Sequence, residues 1–287
     1  MFPTINTDNI TKPQKIPAAC FDGETDMRLN EEFEKTITSD AVEDWRYPRF
    51  FTGSIGDNVV ITGNDAVHIF RVLRMRTGDR AIICDGNGTD LLCAITSASE
   101  SAVELDILDR RRSVGEPDIY LRLFQCMPKS DKMDFIVQKA VELGASEIIP
   151  VISKRCVSRP DAKSAAKKRE RWQRIADEAA KQCGRGKIPT VGEMIGFTES
   201  VKISAGSGTQ GIFFYECGGS RLNDLVKEPF PERIDVFIGS EGGFEPEEAE
   251  LAQKSGIRAA TLGTRILRCE TAPVAAIAVL MNITNNM

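Results

Sequence analysis

No apolar run in this chain of 287 residues approaches the ~20 needed to span a bilayer, and its opening, "MFPTINTDNITKPQK", lacks the apolar core of a secretory signal. A soluble, cytoplasmic protein is the expectation. Cysteine is present eight times, but no two stand at C-x-x-C spacing, so neither a zinc site nor a disulfide framework is suggested. Reduced, mostly buried thiols are expected instead. The phosphate loop G-x-x-x-x-G-K-[ST] is also missing; "GRGKIP" lacks both its spacing and a hydroxyl after Lys187. Histidine occurs once, at His68.

The formal net charge of -5 is unevenly spread. Residues 1–45 hold 4 Lys+Arg against 10 Asp+Glu, so the acidity belongs to the leading arm. Between Lys154 and Lys187 the balance reverses, with 12 basic and 4 acidic residues. A polyanion is a candidate partner for that stretch, and a solvated helix face is the plainer reading.

Composition divides the chain into three. The arm, 1–45, has spaced prolines, many acids and weak periodicity, which predicts disorder with at most a short helix near Asn30–Thr36. Residues 46–113 read as short strands with turn signals, including the Asn-Gly of "AIICDGNGTDLLCAITS", and one helix, "NDAVHIFRVLR", capped by Asn64. That pattern suits a small β-barrel-like domain. All nine of its basic residues are arginine, the side chain whose planar fork suits phosphates and base edges. "RRRSVGEPD" reads as a linker. From 117 to 287, strands such as "IYLRLFQCM", "SEIIPVIS", "GIFFYE" and "IDVFIG" alternate with helical patterns, which predicts an α/β fold on a parallel sheet. Trp172, Ile175, Ala176, Ala179, Ala180 and Cys183 mark the apolar face of a long basic helix that stops at Gly184.

In open α/β sheets, ligands bind where loops leave the carboxyl ends of strands. Three loops here are distinctive: "FFYECGG", "IGSEGGF" and "LGTRILRCETA". Glycines without a phosphate-binding lysine suit a flat, weakly charged ligand held by backbone groups, such as an adenosine. The plainer alternative is that Gly242 and Gly243 only supply positive φ in a turn.

"RYPRFF", "HIFRVLRMRTGD", "PKSDKMDFIVQKAVELGASEIIPV", "RWQRIADEAAKQCGRGKIPTV", "IGSEGGF" and "LGTRILRCETA" occur in this order and spacing. In these motifs the chain resembles the ribosomal RNA small-subunit methyltransferase E (RsmE) family, a branch of the SPOUT methyltransferases, from Arg46 to the C-terminus. The resemblance implies a PUA-like RNA-binding domain, a C-terminal α/β domain with a deep trefoil knot, a homodimer, and bound S-adenosylmethionine; no metal is expected, because the pocket loops offer backbone groups and no cluster of His, Cys and acids. The resemblance further implies methylation of N3 of a uridine in small-subunit ribosomal RNA or the assembled subunit. The cofactor positions it implies are Glu216 in the first loop, then Ile238, Gly239, Glu241, Gly242 and Gly243 in the second. The third loop adds Leu262, Gly263, Ile266, Leu267, Arg268, Thr271 and Ala272. Ser240 stands where the family commonly has Pro, and Cys269 where it commonly has Thr.

For N3 methylation the imide must lose a proton, and Arg265, Arg268, Glu241 and Glu270, in the two pocket loops, are the candidates for taking it or stabilising the anion. Arg46, Arg49, His68, Arg71 and Arg74 are the candidates for RNA contact. The plainer readings are a surface ion pair for Arg46 and Arg49, and a helix-lining role for His68. Two rivals share some of these features: a SPOUT ribose 2′-O-methyltransferase, and a non-enzymatic RNA-binding assembly factor that would not need the glycine loops.

Overall fold

A computed structural model of the chain describes residues 47–53, 58–206 and 208–287. The acidic arm and Arg46 lie outside the described residues.

The first sheet is built from β1 (Arg49–Phe51), β2 (Asn58–Thr62), β3 (Arg80–Cys84), β4 (Thr89–Ala98) and β5 (Ala102–Arg112) in the spatial order β1-β3-β4-β5-β2. Only β1 and β3 run parallel; the other pairs are antiparallel. Alternation selects the inner face. In β2, Val59 and Ile61 point in while Asn58, Val60 and Thr62 point out, and they meet Ile83, Leu91, Ile95, Val103 and Leu105 in one core. The β3–β4 turn forms on the expected Asn-Gly: the Asp85 carboxylate accepts from the N–H of Asn87 and of Thr89 at 2.7 and 2.9 Å.

Two expectations change here. "NDAVHIFRVLR" is not one helix capped by Asn64. It is α1 (Gly63–Val67) with Thr62 at the N-cap position, running straight into a π-helical turn, His68–Val72, in which the Leu73 N–H reaches back to the His68 carbonyl at 2.9 Å. The wider turn still puts Ala66 and Ile69 on the core side. The supposed linker is also shorter, because Arg110, Arg111 and Arg112 pair with Leu91, Asp90 and Thr89 as the last rungs of β5.

The second sheet is parallel throughout. Its strands are β6 (Tyr120–Cys126), β7 (Glu147–Ile152), β8 (Thr190–Val191), β9 (Ile195–Gly196), β10 (Thr209–Phe214), β11 (Ser220–Arg221), β12 (Arg233–Ile238) and β13 (Arg258–Thr261). The order is β11-β13-β10-β12-β6-β7-β8, with β9 also on β7. Around it lie α2 (Lys132–Glu142), α3 (Ala162–Cys183), α4 (Phe197–Ser204), α5 (Leu222–Leu225), α6 (Pro246–Lys254) and α7 (Thr271–Ile283). The central strands are almost wholly buried, as strands covered on both faces must be. Helix ends follow local chemistry. Pro246 opens α6 behind a reciprocal capping box of Glu245 and Glu248, and Gly184 ends α3 at φ +80°.

The spacing G-x-G-x-x-G does occur once, at Gly206–Gly211, but it leads from α4 into β10 instead of from a strand into a helix, so it is no dinucleotide fingerprint. Gly211 serves packing: a Cβ there would lie 2.9 Å from Ile257.

"GRGKIP", rejected as a phosphate loop, is where the first sheet is fastened to the second. Arg185 is 3% exposed; its Nε and Nη2 donate to Glu116 at 2.8 and 3.0 Å, and its Nη1 to the carbonyls of Val141 and Ala145 at 3.1 and 3.0 Å. Gly186 passes so close to Ser113 that a Cβ would meet its side chain at 2.2 Å. A second tie joins Lys181 of α3 to Asp65 of α1 at 3.0 Å.

Candidate active site

Strands β13, β10 and β12 are neighbours in that order, and being parallel they open their carboxyl-end loops on one edge of the sheet. Between those loops lies a cavity of about 590 Å³, within the usual range of small-molecule sites. Every residue named above for the cofactor lines it except Thr271, which starts α7. Of the four named for catalysis, Glu241, Arg265 and Arg268 are in the lining. Glu270 is tied to the lining by its ion pair with Lys132.

The glycine loop is a tight turn in which the Gly243 N–H donates to the Ser240 carbonyl at 2.9 Å and Gly243 holds φ +67°. A Cβ on Gly243 would lie 2.2 Å from a carboxylate oxygen of Glu216. The missing side chain therefore lets the loops after β10 and β12 close on each other. Below the turn, Phe244 is buried against Phe213 and Phe197, with ring centroids 4.4 and 5.4 Å away, and this fixes the loop floor. Ser240 is 7% exposed, and its hydroxyl lies by the Cys156 thiol without a hydrogen bond of normal geometry.

Two residues here escaped the sequence reading. Arg155, just beyond β7, donates to the Gly242 carbonyl at 2.8 Å and to Glu245 at 2.9 Å, and lies 3.7 Å from Glu216. It clamps the glycine loop from outside. Its signals in the sequence were its place at the carboxyl end of a strand of the same sheet and its membership of the basic stretch 154–187. Lys132, the first residue of α2, reaches into the cavity lining and pairs with Glu241 at 3.0 Å and Glu270 at 3.1 Å. Its remaining hydrogen bond is to the Cys269 sulfur, at 3.7 Å. Glu241 and Glu270 raise the Lys132 pKa above its ordinary value. Burial pushes Glu241 up, but its own backbone N–H, the Lys132 ammonium and the Lys129 N–H outweigh it and hold the carboxyl below the usual range. Glu270 is lowered in the same way, with the Cys269 thiol, its own backbone N–H and Lys132 overriding burial. Burial, with Glu270 and Glu241 beside it, pushes the Cys269 thiol up to about 12. At neutral pH the cluster is thus one ammonium, two carboxylates and a neutral thiol.

Arg49 needs correction. Its Nη1 and Nη2 donate to the Asp90 carboxylate at 2.7 and 2.9 Å, and the two side chains are 9% and 0% exposed. An arginine engaged in this way is not free for RNA; the ion-pair reading was right in kind, but the pair is buried. Arg46 falls outside the described residues. His68, Arg71 and Arg74 are exposed along the π turn and its exit, where Arg74 takes φ +55°, and Arg71 pairs with Glu100 at 2.6 Å. The charge excess of residues 154–187 is also partly internal. Arg159 donates to the Ser153, Lys154 and Cys156 carbonyls, Arg169 to the Val191 carbonyl, and Arg185 is buried. Trp172 is core, as expected, and its ring N–H donates to Asp134 at 3.0 Å.

A parallel α/β domain with this three-loop cavity, joined to a small β domain, defines a class: the RNA methyltransferase domain family matches residues 116–281, and the PUA domain of RNA methyltransferases matches residues 61–108. Within that class the chain belongs to the ribosomal RNA small subunit methyltransferase E family. It is 34% identical over 226 residues to the Ribosomal RNA small subunit methyltransferase E of Bacillus subtilis (strain 168), covering 77% of this chain and 88% of that one. The crystal structure of a Ribosomal RNA small subunit methyltransferase E from Neisseria gonorrhoeae bound to S-adenosyl methionine matches with a TM-score of 0.75 at 32% identity, over 83% of this chain and 98% of that one. A putative methyltransferase from Legionella pneumophila, solved with bound SAM, matches with a TM-score of 0.74 at 27% identity, over 83% and 98%.

Proposed function

We infer that this chain binds S-adenosylmethionine in the three-loop cavity and methylates N3 of a uridine in small-subunit ribosomal RNA, as a cytoplasmic homodimer. The observation that carries the reading is the cavity itself, whose lining coincides with the loops the resemblance assigns to the cofactor. The residues fit that group. Gly239 and Gly243 leave backbone at the cavity wall, Glu216 and Glu241 offer acceptors, and Ile238, Leu262 and Leu267 offer apolar surface. When bound, S-adenosylmethionine supplies an electrophilic methyl on a sulfonium. The chain's part is to align the uridine with it and to manage the imide proton. Mapping methylated uridines in ribosomal RNA from a deletion strain, with and without this gene restored, tests the reaction. Nucleoside digestion separates N3 methylation from ribose methylation, and a ribose product would replace the reading. For the dimer, α7 offers an apolar helix on which Val279 is 40% exposed, and light scattering would give the mass.

RNA contact falls to the exposed residues of the π turn. An exposed pair such as Arg71–Glu100 is worth little, so Arg71 can exchange Glu100 for a phosphate. Replacing Arg71 and Arg74 by Ala should weaken RNA binding and make the log–log salt slope shallower by roughly 0.7–0.9 for each phosphate no longer gripped. Unchanged affinity and slope would move the RNA face elsewhere.

A further inference from the structure

We propose that Lys132 is a catalytic residue: its ammonium, held between Glu241 and Glu270, donates a hydrogen bond to a uracil carbonyl oxygen beside N3 and stabilises the anion formed when N3 loses its proton. The proposal rests on the uridine-N3 reading above and assigns a group to a step that reading leaves open.

The geometry supports the role in three ways. Lys132 comes from outside the three loops, yet it lines the cavity and its side chain is 32% exposed, so a nucleobase entering from the open side can touch it. An ammonium has three donors. Two of them go to carboxylates at 3.0 and 3.1 Å, and the third meets a sulfur at 3.7 Å, a weak acceptor that a carbonyl oxygen readily replaces. Glu241 is fixed in turn by the Lys129 N–H at 3.1 Å, so the ammonium is held between anchored partners and needs little reorganisation as charge develops. The edge presented to a base is therefore a donor beside carboxylate acceptors. That suits the imide edge of uracil, which offers a carbonyl oxygen and an N–H side by side. Cytosine carries no proton on N3, so it forms no N3 anion for the ammonium to stabilise.

The bookkeeping of the step is simple. The N3–H bond breaks, its electron pair stays on the ring and spreads to the flanking oxygens, and the proton leaves to water at the open side of the cavity. N3 then forms its bond to the transferred methyl carbon as the carbon–sulfur bond breaks and that electron pair remains on sulfur. Glu241 and Glu270 are held below the ordinary carboxylate range and Lys132 above its own. The cluster accordingly keeps one charge state from about pH 5 to 10, and the pH dependence of the wild-type rate comes from the imide.

The test compares wild type, Lys132→Met and Lys132→Arg as full chains, with small subunits as substrate and calorimetry for S-adenosylmethionine. Lys132→Met should lower kcat by about 10²–10³-fold, the usual cost of removing one donor to a developing anion. Cofactor affinity should stay within about threefold, and the apparent pKa of kcat should rise by about 1 or more as the cation is lost. Lys132→Arg, which keeps the charge, should recover part of kcat and of the pH profile. A loss of cofactor affinity in step with kcat would overturn the proposal, since Lys132 would then serve the cofactor or the loops. So would an unshifted pH profile. Product mapping on the wild type keeps the two questions apart: a product other than N3-methyluridine removes the parent reading, whatever Lys132 does.

Discussion

Gly243→Val should weaken cofactor binding by more than tenfold while leaving RNA affinity within about threefold. A β-branched residue is forced out of φ +67°, and its Cβ would sit 2.2 Å from a Glu216 oxygen. Backbone strain of about 1–3 kcal/mol and overpacking of about 1–3 kcal/mol add to roughly 2–6 kcal/mol against the closed arrangement of the loops. If binding needs that arrangement, affinity falls by the fraction of molecules still in it, from more than tenfold to about 10⁴-fold. Calorimetry measures the cofactor and filter binding the RNA. An affinity within threefold of wild type would mean that the Glu216 and glycine loops need not touch to hold the ligand. Gly243→Ala should fall between the two, because it adds the clash without the β-branch.

Arg185→Ala should lower stability by about 3–5 kcal/mol, the usual result of removing one partner from a buried ion pair. Glu116 would be left with its side chain 9% exposed and no cation, although the N–H groups of Gly186 and Lys187 still reach it at 2.9 and 3.0 Å. The carbonyls of Val141 and Ala145 would lose their donor as well. At about 2–4 °C per kcal/mol for a domain of this size, the midpoint should drop by roughly 6–20 °C. The double variant Arg185→Met, Glu116→Gln should regain part of that, since the unpaired buried charge is gone. Calorimetric melting decides the matter: a drop under about 2 °C for Arg185→Ala would show that the junction contributes little.

The parts of this molecule that could be read from the sequence are those encoded by near neighbours in the chain. Helix α6 follows from Pro246 and the Glu245–Glu248 spacing, and the end of α3 from Gly184, because caps and periodicity act within a few residues. The three glycine-bearing loops could be placed together because consecutive parallel strands end on one edge. Misreadings occurred where the partner lies far away. Arg49 was a candidate for RNA contact, but its partner Asp90 is 41 positions on. Lys132 sits in a stretch read only for its helical pattern, 109 positions before Glu241. "GRGKIP" carried no sign of Glu116, 69 positions back. The π turn hides inside an ordinary helical pattern because it spans only His68–Val72 at the end of the helix and no later turn follows whose apolar face it would displace. The trefoil knot implied by the resemblance concerns how the chain is threaded, and hydrophobic periodicity does not register threading.

The fastening of the β domain through Arg185, Gly186 and Lys181 turns the protein into a gauge of fixed span. The exposed arginines of the π turn and the cavity are thus joined through a packed junction of buried and ion-paired side chains, which holds their separation. On the function proposed above, the burden of fit passes to the RNA, which would have to present the target base and the phosphates offered to Arg71 and Arg74 at one set separation. A folded particle holds such a separation and a loose strand does not, so on that reading selection would rest on the stiffness of the substrate more than on the letters around the target base.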